Sequence, residues 1–495
     1  MIRETLAIIG NGMATGRLLD DLLRRDALKR YEIIVFGEEP HGCYNRILLN
    51  RVLLGGSTDE ITLKPASWYA ERGIRLITGD PVVAVSPAAQ RLWTQSGGEF
   101  FFHRVIFATG SVARLLPVDG ITAPNGRWKD GLAVYRTVAD CQRIREVALR
   151  SKHAVVVGGG LLGLEAAKAL ADLGLQVTLL HLFDTLMNRQ LDRVGSAMLR
   201  RAIERMGIRV MTSANTQAIL GTQRVEGVLL TNGERIAAEL VVVASGIKAR
   251  IELAKDADIP TNAGILVNDR LESSVPRVYA VGECAEHAGK VYGIVQPLYE
   301  QCAVLAAVLM DAESAAYRGS KVYTRLKIVG MDVASMGDIE PQTDQDEVVQ
   351  IIEERRGIYR KLIIRENRLV GAVLVGDTSL AAALVRRYER ADPLPANRLD
   401  LFASDDRIGE STAERMICNC HQVSESAIVE AVRGGCRTLP ELVTRTGAGT
   451  GCGSCQGQLA AVLRQCGSAR LSSPAPVVSA FSIESTPHSC EKIHD

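Results

Sequence analysis

The chain has 495 residues, enough for about three domains at roughly 150 residues each. Its 47% hydrophobic and 23% charged content is that of ordinary globular protein, and a formal net charge of +1 without a polybasic block argues against nucleic acid or a membrane surface as partner. Eleven cysteines at this length do not resemble a secreted disulfide scaffold. The opening "MIRETLAIIGNG" leads straight into a strand and a glycine turn, and no apolar stretch approaches the ~18 residues of a spanning helix, so a cytoplasmic location is expected.

"TLAIIG" reads as a buried strand, "GNGMATG" as a glycine turn and "RLLDDLLRR" as an amphipathic helix. Gly10 and Gly12 would let the backbone turn tightly and approach a pyrophosphate held on the helix N-terminus, with Met13 and Ala14 in the same turn. The third glycine of the usual G-x-G-x-x-G pattern is Thr15, with Gly16 one place late. A following strand, "YEIIVFGE", ends on Glu38, an acceptor for a ribose hydroxyl. A second fingerprint, "HAVVVGGGLLGLEAAKALADLG", carries Gly158, Gly160 and Gly163 at full spacing, with Leu162 inside the turn. Its next strand ends on His181, where an NAD-selective site usually carries an acid, and no arginine follows directly, so the choice between NADH and NADPH stays open.

Two more strands end in small-residue turns: "VIFATGS", with Ala108, Thr109 and Gly110, and "VYAVGECAEH", with Gly282 and Glu283. With the two fingerprints, these stretches resemble the FAD-dependent pyridine-nucleotide oxidoreductases, which have an α/β, glutathione-reductase-like fold of two nested Rossmann-like domains. The resemblance implies an FAD domain at 1–115 and 245–318, with an NAD(H) domain at 116–244 between its halves. It assigns the FAD-binding carboxylate of that family to Glu283, places Gly246 among the cofactor-binding residues, and sets "YGIVQPLYEQ", with Pro297, beside the flavin ring. The segment "EEPHGCYNRILLNRVL" has one cysteine, Cys43, where disulfide reductases of this kind carry two. A lone cysteine there could form a mixed disulfide or a sulfenic acid, as in related oxidases and coenzyme A disulfide reductases; the Y-x-R-x-x-L pattern resembles instead ferredoxin and rubredoxin reductases, which favours Cys43 as a space-filling residue and Arg46 as a flavin-side one. Those relatives often place a lysine where Arg51 stands, so an Arg51–Glu165 pair that seats the nicotinamide is expected.

Residues 319–402 alternate strand-like runs with a helix, "SLAAALVRRYER", and resemble the small C-terminal α/β domain of rubredoxin- and nitrite-reductase-type flavoproteins. Residues 403–414 read as a linker and 467–495, rich in Ser and Pro, as a flexible tail. Between them, "ICNCHQV" and "GAGTGCGSCQGQ" gather Cys418, Cys420, Cys452 and Cys455 as C-x-C and C-x-x-C, 31 residues apart. The spacing alone admits a metal centre, two disulfides or a dithiol. The excursion reads as two capped amphipathic helices, "SESAIVEAVRGG" and "TLPELVTRTG". Residues 415–466 resemble the bacterioferritin-associated-ferredoxin-like domain, a small helical unit. That resemblance implies a [2Fe-2S] cluster on the four cysteines, with His421 at the solvent side or supporting the ligands, and Cys436 outside the ligand set.

In domain order the chain resembles the N-terminal half of the large subunit of NADH nitrite reductases and the electron-transfer subunits of assimilatory nitrate reductases. No sirohaem-binding cysteine set follows. The resemblance implies NADH-to-FAD hydride transfer, single electrons through the cluster, and a molybdenum-dependent nitrate reductase catalytic subunit as partner. A reductase for rubredoxin or ferredoxin, a component of nitrite reductase, and a redox sensor are the other readings.

Overall fold

The computed structural model describes residues 3–328, 330–402, 416–418, 421, 423–450 and 455–468. Strand β1 (Glu4–Ile9) is buried from Leu6 onward, as expected for a parallel strand with helices over both faces. It turns through Gly10–Gly12 into α1 (Met13–Leu23), and β2 (Tyr31–Gly37), β3 (Arg75–Thr78) and β4 (Arg104–Phe107) follow. The chain then builds a second unit from β5 (Leu132–Val134), β6 (His153–Val157), α2 (Leu161–Asp172), β7 (Gln176–Leu180), α3 (Arg193–Glu204), β8 (Arg209–Met211) and β9 (Leu240–Val243). It returns to the first sheet with β10 (Val278–Ala280) and α4 (Val295–Leu309).

The sheets share one plan. The first has the order β10-β4-β1-β2-β3 and the second β5-β9-β6-β7-β8, all parallel. In each, the strand before the glycine loop is central, so the loop opens where the strand order reverses, the place at which open α/β sheets bind ligands. The second unit is inserted between β4 and β10 of the first, the nested architecture expected.

A third unit is an antiparallel sheet of β11 (Tyr323–Ile328), β12 (Met331–Gly337), β13 (Glu347–Glu353), β14 (Ile358–Arg365) and β15 (Arg368–Val375), in the order β11-β12-β15-β14-β13. Helix α5 (Ala381–Arg390) covers one face through Leu384 and Val385. The other face meets the second unit: Val333, Tyr359, Val373 and Val375 share a core with Leu191 and Leu199. Inside this seam Asp192 caps α3 through Gly195 N at 2.9 Å and accepts from Tyr359 Oη at 2.5 Å and Lys361 Nζ at 3.0 Å.

The C-terminal unit starts with a short hairpin, Met416–Cys418 against Val423–Ser424. Ser424 caps α6 (Glu425–Arg433), and a Thr438–Glu441 capping box opens α7 (Leu439–Thr446), which stops at left-handed Gly447. These are the two capped helices read from the sequence. A third, α8 (Gln456–Ser468), was not expected. It supplies Leu459 and Val462 to a core with Ile428 and Leu442, and it runs two residues into the segment read as tail. The expected linker at 403–414 and the remainder of the tail lie outside the described residues. Among the described residues, no helix is long and apolar enough to cross a membrane.

Candidate functional site: one cavity between two glycine loops and a cysteine pair

Helices α1 and α2 begin on glycine caps, Gly12 and Gly160, with no side-chain cap. Their first-turn N–H groups therefore stay available to an anion. The backbones are shaped for close approach. Gly10 (φ +111°) and Gly158 (φ +128°) sit where a Cβ would stand 2.1 Å from Ala108 O and 2.2 Å from Ala244 O, whereas at Gly12 and Gly160 a Cβ would meet nothing within 4 Å. Each loop is thus packed on its sheet side and open on the other. In α2, Gly163 completes the packing, since its Cβ would fall 1.8 Å from Gly158 O. In α1 the matching carbonyl, Gly10 O, instead accepts from Thr15 Oγ1 at 2.7 Å. The displaced Gly16 makes room for Cys43, whose Sγ would lie 2.7 Å from a Cβ there. The departure in the first fingerprint is a substitution of one contact for another.

Both loops open into one cavity of about 1810 Å³, well beyond the roughly 300–1,000 Å³ of a site for one drug-sized ligand and of a size for two dinucleotides end to end. Its walls include Gly10, Gly12, Met13, Ala14, Glu38, Arg46, Ala108, Thr109, Gly110, Gly158, Gly160, Leu162, Glu165, Gly246, Gly282 and Glu283. Gly163 and Pro297 do not face it: the first packs against its own loop, and the second is buried in α4 between wall residues Gln296 and Leu298.

Charged groups ring the first loop. Glu38 is paired with Arg250, which holds its carboxylate below the usual range. Arg46 donates to Glu39 Oε1 at 2.6 Å and to Arg136 O at 3.0 Å. Glu283 accepts from Ser111 Oγ at 2.6 Å and pairs with Arg136, which comes from the inserted unit. Ser111 closes the "VIFATGS" stretch, whereas no motif carries Arg136 or Arg250, which reach Glu283 and Glu38 only through the nested topology.

Arg51 and Glu165 are not brought together. The five-residue helix Leu49–Leu53 buries Leu49, Val52 and Leu53, which turns Arg51 outward, exposed and away from the cavity. Glu165 faces the cavity with no ion pair among the described residues, and burial pushes its carboxyl up to about 7. Cys43 is buried, donates to Gly12 O at 3.3 Å and has its thiol pushed up to about 12 by burial. It is a packing residue here. His181 stacks on the second loop: Gly159 N donates to its Nδ1 at 3.0 Å, and burial lowers its pKa, which keeps the ring neutral.

The hairpin Met416–Cys418 and the start of α8 bring Cys418 and Cys455, both buried, to the wall of the same cavity. Cys420 and Cys452 lie outside the described residues. Two cysteines from opposite ends of one small unit, both in the wall of this cavity, are half of a donor set suited to an iron–sulfur cluster. His421 is partly buried, with both ring nitrogens bonded. Arg17 Nη1 donates to its Nδ1 at 3.2 Å, which leaves the proton on Nε2 to donate to Thr450 Oγ1 at 2.8 Å. Its ring meets Tyr299 edge-on at 5.2 Å. Burial, with Arg17, Arg24 and Lys64 nearby, lowers its pKa to about 4.

Two nested dinucleotide folds opening on one cavity, with a cysteine pair in its wall, define the architecture of a nicotinamide- and flavin-binding oxidoreductase. The chain matches the family model of pyridine nucleotide-disulphide oxidoreductases over residues 4–307, the rubredoxin NAD+ reductase C-terminal domain over 323–389 and the BFD-like [2Fe-2S] binding domain over 416–465. It belongs to the pyridine nucleotide-disulphide oxidoreductase family and carries binding domains for FAD, NAD(H) and a [2Fe-2S] cluster. It is similar to a nitrite reductase [NAD(P)H] of Bacillus subtilis (strain 168), 38% identical over 92% of this chain and 57% of that protein. It is also similar to the assimilatory nitrate reductase electron transfer subunit of the same organism, 35% identical over 96% of this chain and 61% of that protein. The chain thus spans less than two thirds of the length of these curated relatives. The solved NADH:rubredoxin oxidoreductase from Clostridium acetobutylicum superposes with a TM-score of 0.67 at 26% identity, covering 81% of this chain and 99% of that one.

Proposed function

We propose that this chain takes hydride from a nicotinamide dinucleotide onto FAD and passes single electrons through its [2Fe-2S] cluster to the molybdenum-containing catalytic subunit of an assimilatory nitrate reductase. The observation that carries this reading is the shared cavity, walled at once by Gly10–Ala14, by Gly158–Leu162 and by Cys418 and Cys455. When bound, the flavin supplies the conversion of a two-electron hydride into single electrons that a cluster accepts. The chain's own residues bind and orient. The uncapped starts of α1 and α2 would hold the two pyrophosphates, and Glu38, paired with Arg250, would meet the ribose of the first dinucleotide. Arg136 and Glu283, on different units, tie the two dinucleotide folds to each other and would keep the two cofactor sites in one register. Leu161, Leu162 and Leu298 give the cavity wall apolar surface.

The similarity to the nitrate reductase electron transfer subunit supports the partner. The similarity to nitrite reductases supports a second reading, in which a sirohaem unit takes the electrons. Reconstitution separates them. Mixed with the molybdenum subunit, the holoprotein should support NADH-dependent nitrate reduction that either component alone does not. Electron delivery to a sirohaem nitrite reductase unit, with none to the molybdenum subunit, would favour the second reading.

A further inference from the structure

The C-terminal unit touches the first dinucleotide unit at a small set of polar and ring contacts that the electron path above does not require. Arg17 of α1 donates to His421, and its guanidinium lies over the Tyr299 ring at 5.2 Å. Tyr299 of α4 meets the His421 ring on its other contact. Asn45 Nδ2 donates to Thr450 O at 2.8 Å. On the far side, Thr450 Oγ1 bonds both His421 Nε2 and Gly447 O, at 2.8 and 2.7 Å, so the acceptors of this seat are themselves fixed.

Each contact stands on an element that also carries a wall of the flavin cavity. Arg17 is one turn beyond Met13 and Ala14. Asn45 lies between Tyr44 and Arg46, and its Oδ1 is held by Ile47 N at 3.0 Å. Tyr299 follows Leu298. On the other partner, His421 and Thr450 lie beside the C-x-C and C-x-x-C segments. These three elements thus hold His421 and Thr450 beside the cavity wall, and Arg17 itself is held by Asp21 Oδ2 at 2.8 Å.

We propose that the surface made by Arg17, Asn45 and Tyr299 is an intramolecular docking seat for the chain's own residues 416–468, and that seating is what lets the cluster take electrons from the flavin. Arg17 and Tyr299 are positioning residues; neither lines the cavity. The inference rests on the electron path proposed above. Its balance is that of the whole transfer: one NADH gives up a hydride, the two electrons cross the chain's one cluster in succession with reoxidation by the acceptor between them, and NAD+ and one proton are released.

The test is anaerobic stopped flow on full-length holoprotein, following flavin and cluster separately, with Arg17→Ala, Tyr299→Leu and the conservative Arg17→Lys. In the first two variants NADH should reduce the flavin within about twofold of the parent rate while cluster reduction slows about tenfold or more, because small misplacements of a transfer partner carry penalties of that size. Arg17→Lys should recover part of the loss. The cluster's EPR spectrum should not change, and small-angle scattering should show a larger particle in Arg17→Ala, a readout independent of turnover and of whether either variant is fully active. Cluster reduction at the parent rate in both variants, with an unchanged particle size, would overturn the seat and leave the electron path standing. A parent protein whose cluster NADH does not reduce would overturn both.

Discussion

Thr15 Oγ1 donates to Gly10 O at 2.7 Å, the place that in the second loop is taken by Gly163 packed against Gly158 O. The two loops reach one shape by different chemistry, and they should respond differently to substitution. Gly163→Ala pushes a Cβ to 1.8 Å from backbone that cannot yield. It should weaken NADH binding about tenfold or more, the cost of more than 1.4 kcal/mol of lost contact, while FAD content stays at the parent level. Thr15→Val keeps the shape but strips the buried carbonyl of its donor, at about 1–3 kcal/mol of stability by chemical denaturation.

Cys43 should behave as packing. With its thiol pushed up to about 12 in a fully buried site, it should resist iodoacetamide at pH 8 in the folded protein, and Cys43→Ala should retain NADH-dependent flavin reduction. Rapid alkylation or loss of flavin reduction would assign it a redox role instead.

Glu165 links stability to pH. Burial raises its folded pKa to about 7 from the 4.5 of a free glutamate, so between those values the folded state holds a proton that the unfolded state has released. Stability is therefore greatest below about pH 4.5 and falls as pH rises toward 7, by up to roughly 3 kcal/mol for a shift of this size. Glu165→Gln should be more stable than the parent at pH 8 and close to it at pH 5, read as denaturant midpoints. A parent and variant that track each other across that range would contradict a neutral, buried Glu165.

Lys361 secures the seam between the antiparallel sheet and the inserted unit. Its ammonium reaches Asp192, Glu340 Oε2 at 2.6 Å and Ile339 O at 3.0 Å from a buried position. Lys361→Met leaves the Asp192 carboxylate buried with less compensation, and should cost about 3–5 kcal/mol. Replacing Lys361 and Asp192 together by apolar residues should cost less than the single change.

The nested α/β fold was legible because its signals are local: a strand, a glycine turn and a helix, written twice. The two helices of the excursion were legible from Ser424, Thr438 and their closing glycines for the same reason. Helix α8 was missed because it begins directly after Cys455, where the cysteine spacing dominates the sequence. The Arg51–Glu165 pair failed on helix geometry, since the burial of Leu49, Val52 and Leu53 fixes which way residue 51 faces. Arg136 beside Glu283 and Arg17 beside His421 join positions 147 and 404 residues apart. Pairs of that kind are set by topology and leave no mark in either local sequence.

The central claim is that electrons entering at the nicotinamide leave through the four-cysteine unit. An anaerobic NADH titration of the purified holoprotein, followed by visible and EPR spectra, tests it most directly. The account predicts bleaching of the flavin together with a rhombic, spin-one-half signal from a reduced [2Fe-2S] cluster. A flavin that reduces fully while the cluster stays oxidised and EPR-silent, or a four-cysteine unit that carries zinc, would contradict it.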